Sequence, residues 1–177
     1  MKVTSGIRKG AILEASRDLS VRPTTDKVKQ SVFNMIQFEI QGRRVLDLFA
    51  GSGAMGIEAL SRGAKHCTFV DLNPEFVKKN ITKLRFDDLC NIIRGDYLDF
   101  LGTCKQQFDL VFLDPPYEKK MIDSALKKLV DNNFLSDDAI VVWECDEKEE
   151  ITVPVSIQII KERTFGRIRL RIGIYKN

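Results

Sequence analysis

Short β-rich runs alternate with helical stretches through the middle of the chain, and this alternation constrains the fold more than any other feature. The strand candidates are RRVLDLF (43–49), HCTFVDL (66–72), CNIIRG (90–95), FDLVFLD (108–114) and AIVVWEC (139–145). The helix candidates between them carry apolar residues at helical spacing and span residues 54–63, 74–86, 97–102 and 120–132. Strands that alternate with helices predict right-handed βαβ units, and therefore an α/β fold with a mostly parallel sheet and helices on both faces.

Both ends of the chain depart from this alternation. Residues 155–176 predict two strands that would add an antiparallel hairpin to one edge of the sheet. Residues 3–15 predict a small hairpin, and residues 22–36 predict a helix that follows a proline and two threonines. We therefore expect a single domain over residues 1–177, in which an extension of residues 1–42 packs on a core of residues 43–177.

Composition excludes several classes of protein. With 44% hydrophobic and 30% charged residues, the chain resembles an ordinary globular protein and neither a disordered nor a fibrous one. No stretch approaches the roughly 18 consecutive apolar residues of a membrane-spanning helix, and the N-terminus has no apolar signal core, so we expect a cytoplasmic protein. The four cysteines form no CxxC pair and the chain has one histidine, which predicts reduced thiols and no metal site.

The positive charge is concentrated at the two ends. Residues 1–44 carry a net charge of +5, residues 161–177 carry +5, and residues 45–160 carry −7, within a total of +3. If the fold brings the basic ends together, they would form a face that binds phosphates. The candidate phosphate-binding residues are Arg8, Lys9, Arg17, Lys27, Lys161, Arg163, Arg167, Arg169 and Arg171.

A glycine-rich segment, DLFAGSGAMG, joins the first predicted strand to the next helix and runs from Asp47 to Gly56. Its three glycines fit GxGxxG, and Asp71 ends the second strand 20 residues after Gly51, where a carboxylate can bind ribose hydroxyls. This pattern alone is compatible with NAD, FAD or S-adenosylmethionine. The carboxylate of Asp47 would repel a pyrophosphate but suits the cationic methionine end of S-adenosylmethionine, which favours the methyl donor.

A second motif, DPPY, spans Asp114 to Tyr117 directly after the apolar strand FDLVFL. Two prolines remove two backbone donors and stiffen the turn. The Asp114 side chain and the Pro115 carbonyl are both acceptors, so they match the two hydrogens of an exocyclic amine, and Tyr117 can stack on a planar base. The motif therefore predicts a pocket for an amino group on a nucleobase, with Pro116 completing the turn.

Taken together, these segments resemble a known family. DLFAGSG followed by DPPY is similar to the amino-methyltransferase branch of the class I S-adenosylmethionine-dependent enzymes. RPTTDKVKQSVFN upstream, GAMGIEALSRGA after the loop and FVDLNP at the second strand resemble the bacterial 16S rRNA guanine-N2 methyltransferases of the RsmD type. The resemblance extends over essentially the whole chain. It implies a Rossmann-like fold with antiparallel C-terminal strands and S-adenosyl-L-methionine as the cofactor.

The resemblance also implies roles for individual residues. Asp114, Pro115, Pro116 and Tyr117 would hold the target base. The implied cofactor-binding residues are Asp47, Phe49, Ala50, Gly51, Ser52 and Gly53 in the loop, Asp71 and Leu72 after the second strand, Asp96 and Tyr97 after the third, and Arg22 and Thr24 in the N-terminal extension. From the residues alone, Phe49 is also explained as core, and Asp96 as the cap of a helix that begins at Tyr97.

The implied reaction is a direct methyl transfer to the N2 amine of a guanine in 16S rRNA, within an assembled or assembling small subunit, without metal, membrane or a second copy of the chain. A DNA adenine-N6 methyltransferase is the main alternative, because it uses the same amine chemistry and a DPPY motif. Glutamine methylation, a nucleotide-dependent reductase and a catalytically silent RNA-binding module are further alternatives. Asp47 disfavours the reductase and the intact DPPY disfavours the silent module.

Overall fold

The computed structural model describes residues 1–16, 26–116 and 121–177. Its helices are α1 (Asp26–Met35), α2 (Ala54–Ser61), α3 (Glu75–Leu84), α4 (Tyr97–Thr103) and α5 (Met121–Asp131). Its strands are β1 (Arg44–Asp47), β2 (His66–Asp71), β3 (Cys90–Arg94), β4 (Phe108–Leu113), β5 (Leu135–Asp146), β6 (Ile157–Phe165) and β7 (Ile168–Tyr175). Arg17, Arg22, Thr24 and Tyr117 lie outside the described residues.

All seven strands form one sheet in the order β3-β2-β1-β4-β5-β7-β6. The first five strands in this order are parallel, and β7 pairs antiparallel with both β5 and β6. The predicted parallel sheet with an antiparallel C-terminal hairpin at one edge is therefore confirmed. Within the described part of the chain, no helix combines the length and apolar character needed to cross a membrane.

Alternate residues of the central strands point to opposite faces of the sheet, and each face carries its own core. On the first face, Val45 and Leu110 pack with apolar residues of α1, α2 and α3. On the second face, Leu46 and Val111 pack with α4 and α5. Because the period of a strand is two residues, Asp47 falls on the first face, beneath the helices that follow the glycine-rich loop.

The strand β5 is longer than the sequence predicts. It begins at Leu135, four residues before the predicted start at Ala139, because the pairing with β4 shifts register between Phe108 and Leu110. Asp138 has a left-handed backbone conformation, with φ of 59°, in this irregular stretch. The polar residues 136–138 therefore resemble a turn in the sequence although they lie within a strand.

The predicted hairpin of residues 3–15 is reduced to a single antiparallel bridge between Lys2 and Ile12 with a short 3-10 turn at Gly6–Arg8. This N-terminal arm buries Val3 and Leu13 in the first core. Gly6 has a φ of 78°, and a Cβ atom there would stand 1.7 Å from the carbonyl oxygen of Ser61. The arm therefore lies directly against the end of α2.

Candidate functional site

The candidate site lies at the carboxyl ends of β1 and β4, where the strand order reverses. In an open parallel sheet, ligands bind in the crevice at this point. The glycine-rich loop follows β1, and the Asp-Pro-Pro segment of residues 114–116 follows β4. The two motifs identified in the sequence therefore reach the same crevice from neighbouring strands.

Asp71 organises the glycine-rich loop through main-chain hydrogen bonds. The amide of Gly51 donates to its Oδ2 at 2.7 Å, and the amide of Asn73 donates to its Oδ1 at 2.8 Å. Gly51 has a φ of 55° and nothing lies within 4 Å of the position a Cβ would take, so its backbone conformation rather than crowding favours glycine. The side chain of Leu72, next along the chain, is 65% exposed.

Asp47 lies beneath the loop, almost completely buried. Its Oδ2 accepts a hydrogen bond of 2.9 Å from the amide of Gly56. Burial raises the pKa of Asp47 to about 7; the Gly56 amide opposes this rise, and the negative charges of Asp114 and Asp71 add to it. An ammonium or sulfonium group beside this carboxyl would favour its ionised form.

Gly56, the third glycine of the motif, is required by close packing of α2 against β2. A Cβ there would stand 2.3 Å from the ring of Phe69 and 2.6 Å from Sγ of Cys67. Such distances are shorter than any ordinary van der Waals contact, so the helix would have to move away from the strand. The glycine therefore keeps the start of α2 close to β2, and its own amide reaches Asp47 at the end of β1.

Asp96 and Tyr97 begin α4 at the end of β3. Asp96 is the N-cap, since its Oδ1 accepts a hydrogen bond of 2.7 Å from the amide of Leu98. The hydroxyl of Tyr97 lies 2.6 Å from Oγ of Ser124, and its ring packs on Phe49 with centroids 5.0 Å apart. Phe49 and Tyr97 thus contribute to the second core, whereas Asp96 keeps one carboxyl oxygen beyond its capping bond.

The segment after β4 brings Asp114 next to a residue that the sequence analysis did not single out. Leu113 pairs with Trp143, so Glu144 of β5 is the neighbour of Asp114. Glu144 is 3% exposed, and neither of its carboxyl oxygens has a hydrogen-bond partner among the residues described. Burial raises the pKa of Glu144 to about 9, with a further contribution from the charge of Asp114. The sequence contained one signal for this residue, namely a glutamate near the end of an otherwise apolar predicted strand.

The rest of the segment is a short turn. Asp114 is half-buried, Pro115 is buried and Pro116 is exposed.

Two residues of the glycine-rich loop, Ala50 and Ser52, are held by hydrogen bonds to neighbouring elements. The amide of Ala50 donates to the carbonyl of Val70 at 3.0 Å. The carbonyl of Ser52 accepts a hydrogen bond of 2.9 Å from Asn80.

Asn80 also joins the loop to the N-terminal arm. Its side chain is fully buried in α3, and it exchanges two hydrogen bonds of 2.8 Å with the main chain of Glu14. The buried side-chain amide of Asn80 therefore holds the arm, the loop and α3 together.

Gly53 is the N-cap of α2 and has a φ of 78°. Its amide donates a hydrogen bond of 2.6 Å to the carbonyl of Ala50.

The basic residues of the N-terminal arm divide into packed and exposed ones. The guanidinium of Arg8 donates to the carbonyl of Leu84 at 2.7 Å and lies over the ring of Phe86. Lys9 and Lys27 are exposed. The side chain of Arg8 is therefore held at the C-terminal end of α3, near the edge of the sheet formed by β2 and β3.

The C-terminal hairpin carries the second basic group, at the opposite edge of the sheet. Arg171 pairs with Glu162 at 2.6 Å, and Arg169 donates to the carbonyl of Glu147. Lys161 donates to the carbonyl of Met35, at the end of α1, at 2.6 Å. Arg163 and Arg167 are exposed. Lys27 lies in the first turn of α1 and Lys161 contacts its last residue, so this helix connects the two basic groups.

Comparisons with known proteins agree with this architecture. The family model described as conserved hypothetical protein 95 matches residues 1–174. The ribosomal RNA small subunit methyltransferase D of Haemophilus influenzae is 34% identical to the chain over 183 aligned positions, which cover 100% of this chain and 94% of that protein.

Solved structures show the same fold. The structure of yhhF from Escherichia coli superimposes with a TM-score of 0.89 at 28% identity and covers 99% of this chain and 98% of its own. An RNA methyltransferase from Salinibacter ruber, solved in complex with S-adenosyl-L-homocysteine, shares the fold with a TM-score of 0.62 at 16% identity, covering 88% and 95%. The predicted Rossmann-like class I methyltransferase fold is confirmed.

Proposed function

Because the chain belongs to the family described as conserved hypothetical protein 95, which is the RsmD family, we propose that it methylates the exocyclic N2 amine of a guanine in small-subunit rRNA. The family uses S-adenosylmethionine, and methylation of rRNA is the activity named for its relatives. We further propose that the methylated atom is N2 of guanine, that the residues named below carry the reaction, and that the substrate is an assembled or assembling particle.

The residues around the glycine-rich loop fit this cofactor. Gly51 leaves open space above the loop, and Leu72 offers an exposed apolar surface for the adenine ring. Asp71 faces the loop with a carboxylate that can also accept from ribose hydroxyls. Asp47 would interact with the cationic methionine end, and Asp96 would accept from the adenine amine through the oxygen that does not cap α4.

When bound, S-adenosylmethionine supplies the methyl group and, as a sulfonium, a good leaving group. Asp114 and the carbonyl of Pro115 would each accept one N–H of the target amine, which turns the nitrogen lone pair toward the methyl group. Asp114 also stabilises the positive charge that develops on the amine and then accepts the proton that the amine releases. Alignment accounts for much of the acceleration, because effective molarities reach about 10⁵–10⁸ M in well-oriented systems.

One observation carries the proposal: Asp47 and Asp114 end neighbouring strands and interact electrostatically across the crevice. Asp47 pairs with Phe112, two residues before Asp114, and the charge of Asp114 helps to raise the pKa of Asp47. A cation at Asp47 and an amine at Asp114 would therefore lie in the same crevice, as a direct transfer requires. A nucleotide-dependent reductase would have no use for this second carboxylate.

The substrate must present an unpaired base, because an amine within a helix cannot enter such a crevice. We expect the exposed Arg163 and Arg167, with Lys9 and Lys27, to bind backbone phosphates of a structured RNA. We expect this RNA to be part of an assembled or assembling small subunit, whose shape would provide much of the specificity. We expect the protein to act on it as a monomer.

Methyl transfer from radiolabelled S-adenosylmethionine tests this function. The substrates are naked small-subunit rRNA, partly assembled small subunits and duplex DNA, each from a strain that lacks the enzyme. Label in RNA or particles that maps to N2-methylguanine is the expected result and identifies the assembly state of the substrate. Label in DNA alone would replace the proposal with adenine-N6 methylation, and label on another RNA atom would refute the assignment to N2.

A further inference from the structure

Glu144 is a buried acid that the fold does not use. Glu144 lies two residues before the end of β5, and neither of its carboxyl oxygens has a hydrogen-bond partner within the described residues. A buried polar group without a partner destabilises the folded state, and a charged one does so more strongly. By contrast, Glu58 in the same core accepts hydrogen bonds from Lys29, Thr4, Ser5 and Arg62.

The position of Glu144 points to the base rather than to the cofactor. In β5, Ile140 and Val142 belong to the first core, and Trp143 and Cys145 belong to the second. Glu144 therefore shares the first face with Asp47 and Asp114. It is separated from Asp47 by the strand that carries Asp114, and it follows the residue paired with Leu113. The three acids form a row in which Asp114 is central.

The Watson–Crick edge of guanine matches two neighbouring acceptors. The N2 amine and the ring N1–H are adjacent donors, so a base whose amine is held at Asp114 presents its N1–H to the next group along the row. Adenine has no hydrogen on the ring nitrogen beside its amine and presents a lone pair there. A hydrogen-bond acceptor beside Asp114 would therefore favour guanine, with its N2 amine, over adenine, with its N6 amine.

We propose that Glu144 is a specificity-determining residue that accepts a hydrogen bond from the ring N1–H of the target guanine while Asp114 holds the N2 amine. This inference rests on the proposed function and deepens it. It also gives an unpartnered oxygen of Glu144 a use, because that oxygen accepts the hydrogen bond from the base.

The neutral form of Glu144 suits this arrangement. Two carboxylates side by side in a buried site do not both ionise readily, and burial raises the pKa of Glu144 to about 9. As a carboxylic acid, Glu144 is both a donor and an acceptor. Its O–H group leaves Asp114 as the one ionised carboxylate next to the amine, where the positive charge develops.

Two substitutions distinguish this role from a structural one. Glu144→Gln keeps a donor and an acceptor in the same shape, so we expect its kcat and KM to stay within about threefold of the wild type. Glu144→Leu fills the space with an apolar side chain, so we expect kcat/KM for undermethylated particles to fall about 10- to 100-fold, because N1–H loses its partner. Cofactor affinity, measured by calorimetry with S-adenosylhomocysteine, should be unchanged in both.

Thr68→Val is the matched control, since the buried hydroxyl of Thr68 on β2 also lacks a partner among the described residues. It should leave kcat/KM unchanged. If Glu144→Leu keeps the wild-type kcat/KM, or if Glu144→Gln is as impaired as Glu144→Leu, the inference is overturned. Thermal unfolding of each variant shows whether a loss of activity follows from a loss of structure.

A modified substrate tests the N1–H contact itself. Once the labelled guanine is mapped, particles are reconstituted with 2,6-diaminopurine at that position, which keeps the amine at C2 but lacks N1–H. The wild type should prefer guanine, and Glu144→Leu should lose most of that preference; an equal preference in both would overturn the inference. Absence of label on guanine with the wild type would refute the proposed function itself. A failure of the proposed function is therefore distinguishable from a failure of the role given to Glu144.

Discussion

Lys29 and Glu58 form an ion pair that is closed to solvent on both sides, with Nζ and Oε2 2.7 Å apart. Glu58 also accepts from the amide of Thr4 at 2.8 Å and from Nε of Arg62 at 2.8 Å. Burial alone would raise the pKa of Glu58, but the hydrogen bonds from Lys29, Thr4 and Arg62 outweigh it, so its pKa is lowered. One carboxylate therefore holds α1, α2 and the N-terminal arm together.

We predict that Lys29→Met strongly destabilises the protein. Removing one partner of a buried pair leaves the other charge without compensation, which costs about 3–5 kcal/mol. Lys127→Met is the matched control, because Lys127 is 73% exposed and pairs with Asp131 on the surface of α5. Urea unfolding should show a large decrease in the free energy of unfolding for the first variant and less than about 1 kcal/mol for the control. Equal effects would contradict the role given to the pair.

Replacement of Asp71 by alanine should weaken cofactor binding before it affects turnover. The side chain fixes the amides of Gly51 and Asn73 and is expected to accept from the ribose, so the loop loses its order and a ligand contact together. Calorimetry should show at least a tenfold higher Kd for S-adenosylhomocysteine. Asp88→Ala, an exposed acid beyond α3, should leave the Kd unchanged. An unaltered Kd for Asp71→Ala would refute the assignment.

Asp114→Ala is expected to have the opposite profile. Because Asp114 is assigned to the target amine, its loss should lower kcat by orders of magnitude while the Kd of the cofactor changes little. Single-turnover transfer to undermethylated particles measures the chemical step directly. Wild-type kcat in this variant would remove Asp114 from the proposed mechanism.

The raised pKa of Asp47 predicts two effects of pH. The unfolded-state pKa is 3.8 and the folded-state value is about 7, so the folded protein binds the extra proton between these values. This contribution to the free energy of unfolding is fully present below pH 3.8 and is lost as the pH rises through 7. Asp47→Asn should therefore remove part of the decrease in stability that the wild type shows over this range.

Cofactor affinity should change in the other direction. The ammonium group of S-adenosylhomocysteine would bind the ionised form of Asp47, so the Kd for this ligand should fall as the pH rises from 5.5 to 7, by up to about tenfold per pH unit. Asp47→Asn should bind more weakly and show little pH dependence over the same interval. Calorimetry across the interval measures both. A pH-independent Kd in the wild type would separate Asp47 from the cofactor.

Binding of RNA should weaken steeply with salt if the exposed arginines of the C-terminal hairpin contact phosphates. Each lost phosphate contact lowers the slope of log K against log salt by about 0.7–0.9. The double variant Arg163→Ala, Arg167→Ala should therefore lose about 1.5 from this slope, while Lys127→Met on the opposite face of the sheet loses none. Filter binding to small-subunit rRNA at several salt concentrations tests this prediction, and a flat profile in the wild type would count against the basic face.

Periodicity and the two glycine- and proline-bearing motifs are local properties, so the sequence predicts them well. The strands β1 and β4, the C-terminal hairpin and the place of both motifs at strand ends were predicted and are confirmed. The start of β5 was predicted wrongly, because the polar residues 136–138 resemble a turn and enter the strand only through its pairing with β4. Local patterns do not report such long-range pairing.

What the sequence determined by itself is the class of fold and the residue types at the crevice, because strand periodicity, loop glycines and turn prolines depend on neighbours along the chain. Only the tertiary structure decided which side chains meet. It brings Glu144 beside Asp114, pairs Lys29 with Glu58, and packs Tyr97 against Phe49 in the second core. These outcomes depend on strand order, register and burial. Burial also raises the pKa of Asp47, and a local stretch of sequence does not reveal how deeply a residue is buried.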